Sequence, residues 1–582
     1  MTKISHGLLV DFSILFPDEP VQDLETYFVG IDKQTLLLAG SYLLSIRSQN
    51  SKVSNFKVLL PNWFSEKNQV FATEVYTKLI ELEKKFGELI LINPESSIQF
   101  FEYCFENLPD REKESKISND EFERNIFKAY ITLTHKNLSN EGKFIDSVNA
   151  LTNDEKIVAF ILGRQFVHHD LVNANLHDTT ICQFIKALYL FDFLSSCPIT
   201  QELLNKFLEY YQVETWQEYL KSLMPLVFSY IKKVREAQMD IVVERNADFL
   251  KSCQFIDKLI VKSDDQIVDL DYRVLRGKPI YQIEQGRYRI IFDLFLIEKV
   301  YSGMYFALRE INNQLTKPHK FSDFRSFYCD FFTEQHLFYT VISKAFGNRY
   351  IQWSGQKIKE LGYDAEPDYY IRDGNDVIIF ESKDVLINAE AKHSYDFKII
   401  EEEIKGKLYY QINKKGEKEN KAILQILNNV KRILRKEFSF DQNLKPNSLR
   451  IYPIIVVYHQ VLNIAGINKL INKWFAEEVE DLKKENLPVD KIRDVVLIDI
   501  DTLILCQDHL KKKEIKLIEL IDAYIQRCTI NKKQKYINEE DAKAYIMNTH
   551  IPFSSFVVEI CNKKKLNRFP NDFREMGKRI FL

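Results

Sequence analysis

Residues 366–383 read EPDYYIRDGNDVIIFESK, and this stretch decides the fold of the C-terminal half. The tetrapeptide DGND at 373–376 is a turn signal, with strand-like runs on either side at 368–372 and 377–383. Residues 377–380 are apolar without alternation, which is typical of a strand that is covered on both faces. The stretch therefore predicts a hairpin whose second strand lies inside a sheet.

Charged residues at the ends of this hairpin predict a site. Glu381 and Lys383 are two residues apart and share one face of the strand, with Ser382 on the opposite face. If Asp368 pairs across the hairpin near Glu381, two carboxylates converge beside one lysine. Such charges are costly at the end of a buried strand unless they are paired or bind a metal. The arrangement suits a hard divalent cation with oxygen ligands.

Pro367-Asp368, a gap of twelve residues and Glu381-Ser382-Lys383 resemble the signature of the PD-(D/E)XK nuclease superfamily. The resemblance covers about 320 to 510. It implies a restriction-endonuclease-like mixed sheet flanked by helices and metal-dependent cleavage of DNA, with RNA not excluded. It also implies that Asp368 and Glu381 bind Mg²⁺ (or Mn²⁺) together with the backbone carbonyl of Ser382. Lys383 would position or deprotonate the attacking water, or stabilise the pentavalent phosphate.

Two more site residues follow from the same resemblance. In the superfamily, the helix before the core sheet supplies an acidic residue to the metal site. A helix predicted over about 324–346 carries Glu334 on its apolar face, where a carboxylate calls for a reason. The alternative is a glutamate that reaches solvent at the rim. That apolar face is formed by Phe327, Phe331, Phe338 and Val341.

Many members of the superfamily also carry a glutamine near the site, on the helix that follows the hairpin. Gln425, on an amphipathic helix predicted over 422–437, resembles it. The helical wheel places Gln425 opposite the apolar stripe, so that it faces substrate phosphate or solvent.

Length and hydrophobic pattern divide the 582 residues into several segments. We expect an α/β core in the C-terminal half and a large, mainly α-helical N-terminal region. A charged stretch at 111–121 separates the first two segments, and residues from about 262 onward are expected to close a core of their own. The segments are 1–115 (mixed, mainly helical), 116–262 (helical), 263–320 (β-containing), 321–515 (nuclease-like) and 516–582 (helical, basic).

The composition limits the partners and the compartment. A net charge of −3 gives no global nucleic-acid signature, so any basic surface must be local. Ten Lys or Arg residues stand against two Glu between Lys405 and Lys436, which predicts phosphate contact beside the site, although a solvated helix face would also be basic. The absence of a long apolar run or secretory signal and the eight scattered cysteines predict a cytoplasmic protein without a membrane partner.

Two other acidic groups are weaker site candidates. His168-His169-Asp170 with His177-Asp178 could ligate a metal, as in HD-type phosphohydrolases, but the further ligands of that family cannot be placed. We therefore interpret them as polar loop and cap residues. Asp499 and Asp501 are predicted to share a face at the end of a strand, without a lysine at the right spacing.

The favoured hypothesis is a Mg²⁺-dependent endodeoxyribonuclease, with the helical N-terminal half as a surface for a protein partner or trigger, as in bacterial defence or restriction effectors. One alternative is a catalytically silent module that binds nucleic acid. The presence of Asp368, Glu381 and Lys383 argues against it. The other is a helical sensor or interaction protein in which the hairpin motif is incidental.

Overall fold

The computed structural model describes residues 7–46, 55–106, 114–142, 153–229, 240–441, 444, 448–531 and 534–581. The predicted break at 111–121 begins outside these residues. The protein is mixed α/β and mainly helical, with a five-stranded mixed sheet in the C-terminal half. Within the described ranges, none of the helices combines the length and apolarity needed to cross a bilayer.

The central sheet consists of β1 (Ile351–Ser354), β2 (Tyr369–Asp373), β3 (Asp376–Lys383), β4 (Arg450–Val457) and β5 (Val496–Asp499). Their order across the sheet is β5-β4-β3-β2-β1. Strands β1 to β3 form an antiparallel meander, whereas β4 runs parallel to both β3 and β5. Parallel neighbours need a crossover connection, and helices between β3 and β4 and between β4 and β5 provide it.

The predicted hairpin is confirmed. Strands β2 and β3 are joined by Gly374 and Asn375, and Gly374 adopts φ +64°, which glycine tolerates without strain. Alternate residues of β3 enter different hydrophobic cores, so the strand is covered on both faces as its apolar run predicts. Val377 and Ile379 lie in one core and Ile378 and Phe380 in the other.

Helices cover the two faces of the sheet. One face packs against α2 (Phe397–Leu408), α3 (Ala422–Leu434) and α4 (Ile467–Lys484). The other packs against a core that contains α1 (Leu176–Ser196) and α5 (Ile500–Lys511). Because α1 precedes residue 262, the expectation that later residues close a core alone is wrong. The division into five segments stays a prediction.

The N-terminal region has a hydrophobic core of its own, to which Tyr272, Leu294 and Phe295 also contribute. Its helices are Phe12–Leu15, Leu24–Phe28, Lys33–Ser45, Phe56–Trp63, Gln69–Phe86, Pro94–Glu106 and Asn119–Gly142.

Small sheets are formed by Leu8–Leu9 with Leu89–Ile90, by Ile241–Val242 with Ile280–Glu284 and Arg287–Ile290, and by Tyr410–Ile412 with Lys418–Asn420.

The other α-helices, apart from those on either side of Glu334, follow in chain order. They are Asn153–Gln165, His169–Val172, Gln201–Tyr211, Trp216–Val227, Phe249–Ile256, Arg273–Gly277, Asp293–Glu298, Met304–Gln314, Gly355–Glu360, Ala389–Lys392, Leu517–Cys528, Glu539–Asn548, Phe553–Lys563 and Asn571–Phe581.

A buried carboxylate in the N-terminal region makes stability depend on pH. Burial raises the pKa of Glu102 to about 9, and the nearby charges of Asp269 and Glu106 add to the rise. Its Oε1 atom has no hydrogen-bond partner among the described residues. The folded state therefore keeps a proton that the unfolded chain releases near its ordinary pKa of about 4.3. Glu102 therefore lowers the free energy of unfolding as the pH rises from about 4.3 towards 9.

Glu102→Gln is expected to raise the free energy of unfolding by about 1–3 kcal/mol at pH 8 and to change it little at pH 4, because the buried carboxyl is neutral at the lower pH. Urea unfolding at both pH values measures the difference. Glu81→Gln, at an exposed position, is the control. An equal effect of Glu102→Gln at both pH values would contradict the prediction.

Candidate active site at the carboxyl end of strand β3

The charged residues of the hairpin lie together. Tyr369 pairs with Phe380, so Asp368, the residue before β2, stands opposite Glu381. Asp368 Oδ2 accepts a hydrogen bond from the backbone N–H of Ser382 at 2.6 Å. Lys383 Nζ donates to Glu381 Oε1 at 2.6 Å. The structure thus brings together the two carboxylates and the lysine that the sequence singles out.

Glu334 lies on a continuous helix whose middle is wound more loosely than its ends. Phe324–Phe327 and Tyr339–Phe346 are α-helical, whereas Tyr328–Phe338 is π-helical, with hydrogen bonds five residues apart. Glu334 Oε1 accepts from the hydroxyl of Tyr339 at 2.8 Å, also five residues along the chain. Stretches of this kind often occur at functional sites.

The π-helical stretch also corrects the predicted apolar face. Phe331 is 49% exposed, while its neighbour Phe332 is buried. The prediction of Phe331 in the buried stripe is wrong, because a spacing of 3.6 residues per turn does not hold in a π-helix. Glu334 itself is partly buried, which fits both a residue that lines a site and a glutamate at the rim.

The site holds three carboxyl groups, those of Asp368, Glu381 and Glu334, for one lysine, and burial disfavours charge on each of them. Burial raises the pKa of Glu381 to about 8, and the charge of Asp368 contributes to the rise. Burial and the charge of Asp368 likewise raise the pKa of Glu334 to about 7. Burial opposes the charge on Lys383, but Glu381 and Asp368 outweigh it, so the pKa of Lys383 is raised. Such a cluster favours uptake of a proton or a cation.

Several residues that sequence reasoning missed hold these groups in place. Asp384 accepts hydrogen bonds from Arg325 at 3.0 Å and from Thr333 Oγ1 at 3.1 Å, which ties the end of β3 to the Glu334 helix. The hydroxyl of Tyr458, just after β4, lies 2.7 Å from Ser382 Oγ. The position of Asp384 directly after the motif could have indicated a role at the site. Nothing in the local sequence points to Tyr458.

Gly355 allows the chain to pass close to the site. Its N–H donates to the carbonyl of Asp368 at 2.8 Å. A Cβ atom at this position would lie 3.1 Å from the carbonyl oxygen of Pro367 and 3.2 Å from the hydroxyl of Tyr339. A side chain here would push Asp368 and Tyr339 apart.

Gln425 is not joined to the carboxylates by a hydrogen bond. Helix α3 connects the parallel strands β3 and β4, so its first turn, with Gln425, lies towards the end of the sheet that carries Lys383. Gln425 is partly buried, and its amide oxygen is buried without a hydrogen-bond partner among the described residues. The sequence predicts that Gln425 faces either substrate phosphate or solvent. Because its amide oxygen is buried, that oxygen does not face solvent.

The basic region between Lys405 and Lys436 is largely neutralised. Lys431 and Arg435 both pair with Glu485, at 2.5 and 2.8 Å, and Lys421 pairs with Glu419 at 3.2 Å. A count of charges between Lys405 and Lys436 overestimates the positive charge of this region. Glu485, which pairs with two of its residues, lies outside the counted range. Lys414 and Lys415, in the turn of a small hairpin, are exposed and have no acidic partner among the described residues.

The other acidic candidates have structural partners. His168 Nε2 lies 2.9 Å from Glu95 Oε1. Asp178 pairs with Arg568 at 2.6 Å, and Asp170 with Arg276. These contacts agree with polar structural roles and not with a metal site.

Asp499 and Asp501 do not share a strand face as predicted. Asp499 ends β5 and caps α5 by accepting from the N–H of Thr502, whereas Asp501 lies within α5 and pairs with Lys186 of α1 at 2.8 Å. Over the part of the chain that the structure describes, no group of three or more His, Cys, Asp or Glu side chains is arranged to hold a metal.

Comparisons with family models, with curated proteins and with solved structures found no match to this chain.

Proposed function

We propose that the protein is a metal-dependent nuclease that hydrolyses phosphodiester bonds in DNA and has a restriction-endonuclease-like core. The observation that supports this most is the opposition of Asp368 and Glu381 across the hairpin, with Lys383 2.6 Å from Glu381. The strand order β5-β4-β3-β2-β1, an antiparallel meander followed by parallel strands, fits the mixed sheet that the motif implies.

Two carboxylates and one backbone carbonyl fit a hard divalent cation that keeps several waters, whereas the described side chains by themselves form no group of three metal ligands. Glu381 is 3% exposed and its Oε2 atom has no hydrogen-bond partner among the described residues, so an oxygen ligand is available. Asp368, Glu381 and the carbonyl of Ser382 would hold Mg²⁺ (or Mn²⁺), and Glu334 would contribute directly or through water. Water would complete the shell, as Mg²⁺ usually retains several waters. The bound cation would lower the pKa of a water and neutralise charge that grows on the phosphate.

The protein groups have separate tasks in this proposal. Lys383, held at the strand end by its contact with Glu381, would donate to a phosphate oxygen or to the attacking water. Its raised pKa keeps it protonated, so it would act as a positioned charge and not as a base. Tyr339 would fix the orientation of Glu334 through its hydrogen bond. Arg325 and Thr333 would keep the helix and the strand end in register through Asp384.

The proposal includes two partners, one at the N-terminal half and DNA at the site. The N-terminal half would receive a protein partner or a trigger, which would suit a bacterial defence or restriction effector. DNA would reach the site past the hairpin that carries Lys414 and Lys415.

Reversing Lys414 and Lys415 to Glu is expected to weaken DNA binding and to lower the slope of log affinity against log salt by about 1–2, because two phosphate contacts are lost. Fluorescence anisotropy at several salt concentrations measures the slope. The control is the reversal of Lys483 and Lys484, which pair with acids on their own helix. An unchanged slope for Lys414 and Lys415 would show that their hairpin does not contact DNA.

Cleavage assays with the full chain test the proposed function. Supercoiled plasmid, duplex DNA, single-stranded DNA and RNA are incubated with Mg²⁺, with Mn²⁺ and with a chelator. We expect cleavage of DNA that requires a divalent metal and disappears in the chelator. DNA binding without cleavage would favour a silent binding module, and neither binding nor cleavage would favour a sensor protein. The assay is then repeated with protein that was co-expressed in cells with a possible partner, which tests whether cleavage requires a trigger.

A further inference from the structure

Two runs of three lysines, far apart in the sequence, form one basic surface. One run, 511–513, begins at the last residue of α5, and the other, 563–565, begins at the last residue of the helix Phe553–Lys563. The two helix ends meet, since Lys564 Nζ donates to the carbonyl of Glu514, the residue after the first run, at 3.0 Å. We call the two runs together the lysine patch, which consists of Lys511, Lys512, Lys513, Lys563, Lys564 and Lys565.

The lysines of the patch are exposed and unpaired. All six side chains face solvent, and none forms an ion pair with an acidic side chain of the described residues. Two other cations beside the patch do have partners, since Lys516 pairs with Glu519 at 2.6 Å and Arg568 pairs with Asp178 at 2.6 Å. The acids that lie closest along the chain are therefore partly used by cations outside the patch.

The remaining negative charges do not cancel the lysine patch. Within 505–520 and 555–570, the acids that these two pairs leave over are Asp508, Glu514 and Glu559. If each of them is fully charged and offsets one lysine, three lysine charges remain. The two helix ends carry about half a negative charge each, which offsets roughly one more. Asp373 comes near from the hairpin turn, but Arg349 accompanies it, since the two charges act in opposite directions on the pKa of Tyr350. A surplus of positive charge is left.

The lysine patch lies near the opposite end of the sheet from the carboxylates. Lys513 Nζ is 5.4 Å from the centre of the ring of Tyr350, which directly precedes β1. The first residue of β1, Ile351, pairs with Arg372 beside the hairpin turn, whereas Asp368 precedes the other end of β2. Four residues of extended chain separate Arg372 from Asp368, which is about 13 Å at about 3.3 Å per residue. The patch is therefore a surface separate from the candidate active site.

We propose that the lysine patch binds the phosphate backbone of a nucleic acid. Lysine is a compact point charge with three donors, and contacts of this kind hold phosphate without reading the base sequence. Segments 508–516 and 559–568, both fully described, expose no large apolar side chain, whereas a surface that docks on a membrane usually inserts such residues. The choice of a nucleic acid rests on the proposed function, but binding at the patch needs neither a metal nor cleavage.

Fluorescence anisotropy with the full chain and a labelled DNA duplex tests the proposal, in a chelator and at several salt concentrations. The patch variant combines Lys511→Gln, Lys512→Gln and Lys563→Gln, at side chains that form no hydrogen bond or ion pair within the described ranges. We expect the slope of log affinity against log salt to fall by about 2–3, because each phosphate contact on duplex DNA contributes about 0.9. The affinity at about 0.1 M salt is expected to fall about tenfold or more. Circular dichroism checks folding, and Lys512→Gln alone, with an expected fall of about 0.9 in the slope, replaces a triple variant that does not fold.

The control variant removes the same number of charges elsewhere. It combines Lys206→Gln, Lys483→Gln and Lys578→Gln, at exposed lysines that each pair with an acid three residues away, and its slope is expected to match the wild type. Vesicles of phosphatidylcholine and phosphatidylserine are the second probe. The proposal is overturned if the patch variant keeps the wild-type slope, or if the wild type binds the vesicles and not the duplex, or binds neither.

The result is separable from the test of the nuclease. A lower slope for the patch variant supports the lysine patch even if no nucleic acid is cleaved, and then only the proposed nuclease function fails. Cleavage by the wild type together with an unchanged slope for the patch variant overturns this inference and leaves the nuclease function standing.

Discussion

Asp368→Ala is expected to abolish phosphodiester cleavage while the protein remains folded and its melting temperature stays level or rises. The site has two more carboxylates than lysines, and burial opposes their charges. Removing one carboxylate relieves repulsion in the metal-free protein, whereas it removes a ligand from the metal-bound protein. Glu381→Ala should also abolish cleavage. Its gain in stability should be smaller, because it leaves Lys383 without its partner at 2.6 Å.

Lys383→Ala separates binding of the metal from the chemical step. Asp368 and Glu381 remain, so Mg²⁺ should bind at least as tightly as in the wild type, while the rate falls by about 10²–10⁴ as expected for loss of a positioned, proton-donating charge. Calorimetry with Mg²⁺ and plasmid nicking are measured for all three variants. Lys398→Ala, at an exposed position, is the control. Wild-type cleavage by Lys383→Ala, or no cleavage of any nucleic acid by the wild type and its triggered form, would refute the assignment.

The sequence predicts those features that depend on short-range patterns. The turn at Gly374, the burial of both faces of β3 and the approach of Asp368 to Glu381 all follow from one hairpin. In a hairpin, the turn sets the register, and the register decides which side chains meet. This is why eighteen residues were enough to place the centre of the candidate site.

The features that were missed depend on residues far apart in sequence or on unusual helical winding. The contact between Tyr339 and Glu334 requires a π-helical spacing of five residues, and a regular helix with 3.6 residues per turn would not place these two side chains together. The charges of Lys431 and Arg435 are cancelled by Glu485 from another helix. Likewise, nothing local to α1 shows that it lies against the sheet core. Tertiary packing decides all three.

A buried ion network near the site gives the second large expected effect. Arg276 donates to Glu298 at 2.7 Å and to Asp170, and Lys392 lies 3.1 Å from Asp170 and 2.5 Å from Asp271. Burial raises the pKa of Asp170, but the charges of Arg276 and Lys392 outweigh it and keep the pKa below its usual value. The network links helices from before residue 300 to the segment after β3, since Lys392 ends the helix Ala389–Lys392.

Arg276→Met is expected to lower the free energy of unfolding by about 3–5 kcal/mol, because it leaves buried carboxylates without their main cation. Arg273→Met, on the same helix, removes a pair with Asp269 from a side chain that is 70% exposed, so a loss of less than about 1 kcal/mol is expected. Urea unfolding of both variants makes the comparison.

The double variant Arg276→Met with Glu298→Gln distinguishes an unpaired charge from lost packing. If the cost of Arg276→Met comes from an uncompensated carboxylate, neutralising Glu298 should recover part of it, and the two changes should not be additive. Asp170 would still have Lys392, at 3.1 Å, as its remaining cation. If the two changes add, the loss instead reflects other contacts of Arg276, including that of its guanidinium carbon, which lies 4.7 Å from the centre of the Phe295 ring. In that case the loss comes from these other contacts of Arg276 and not from an unpaired carboxylate.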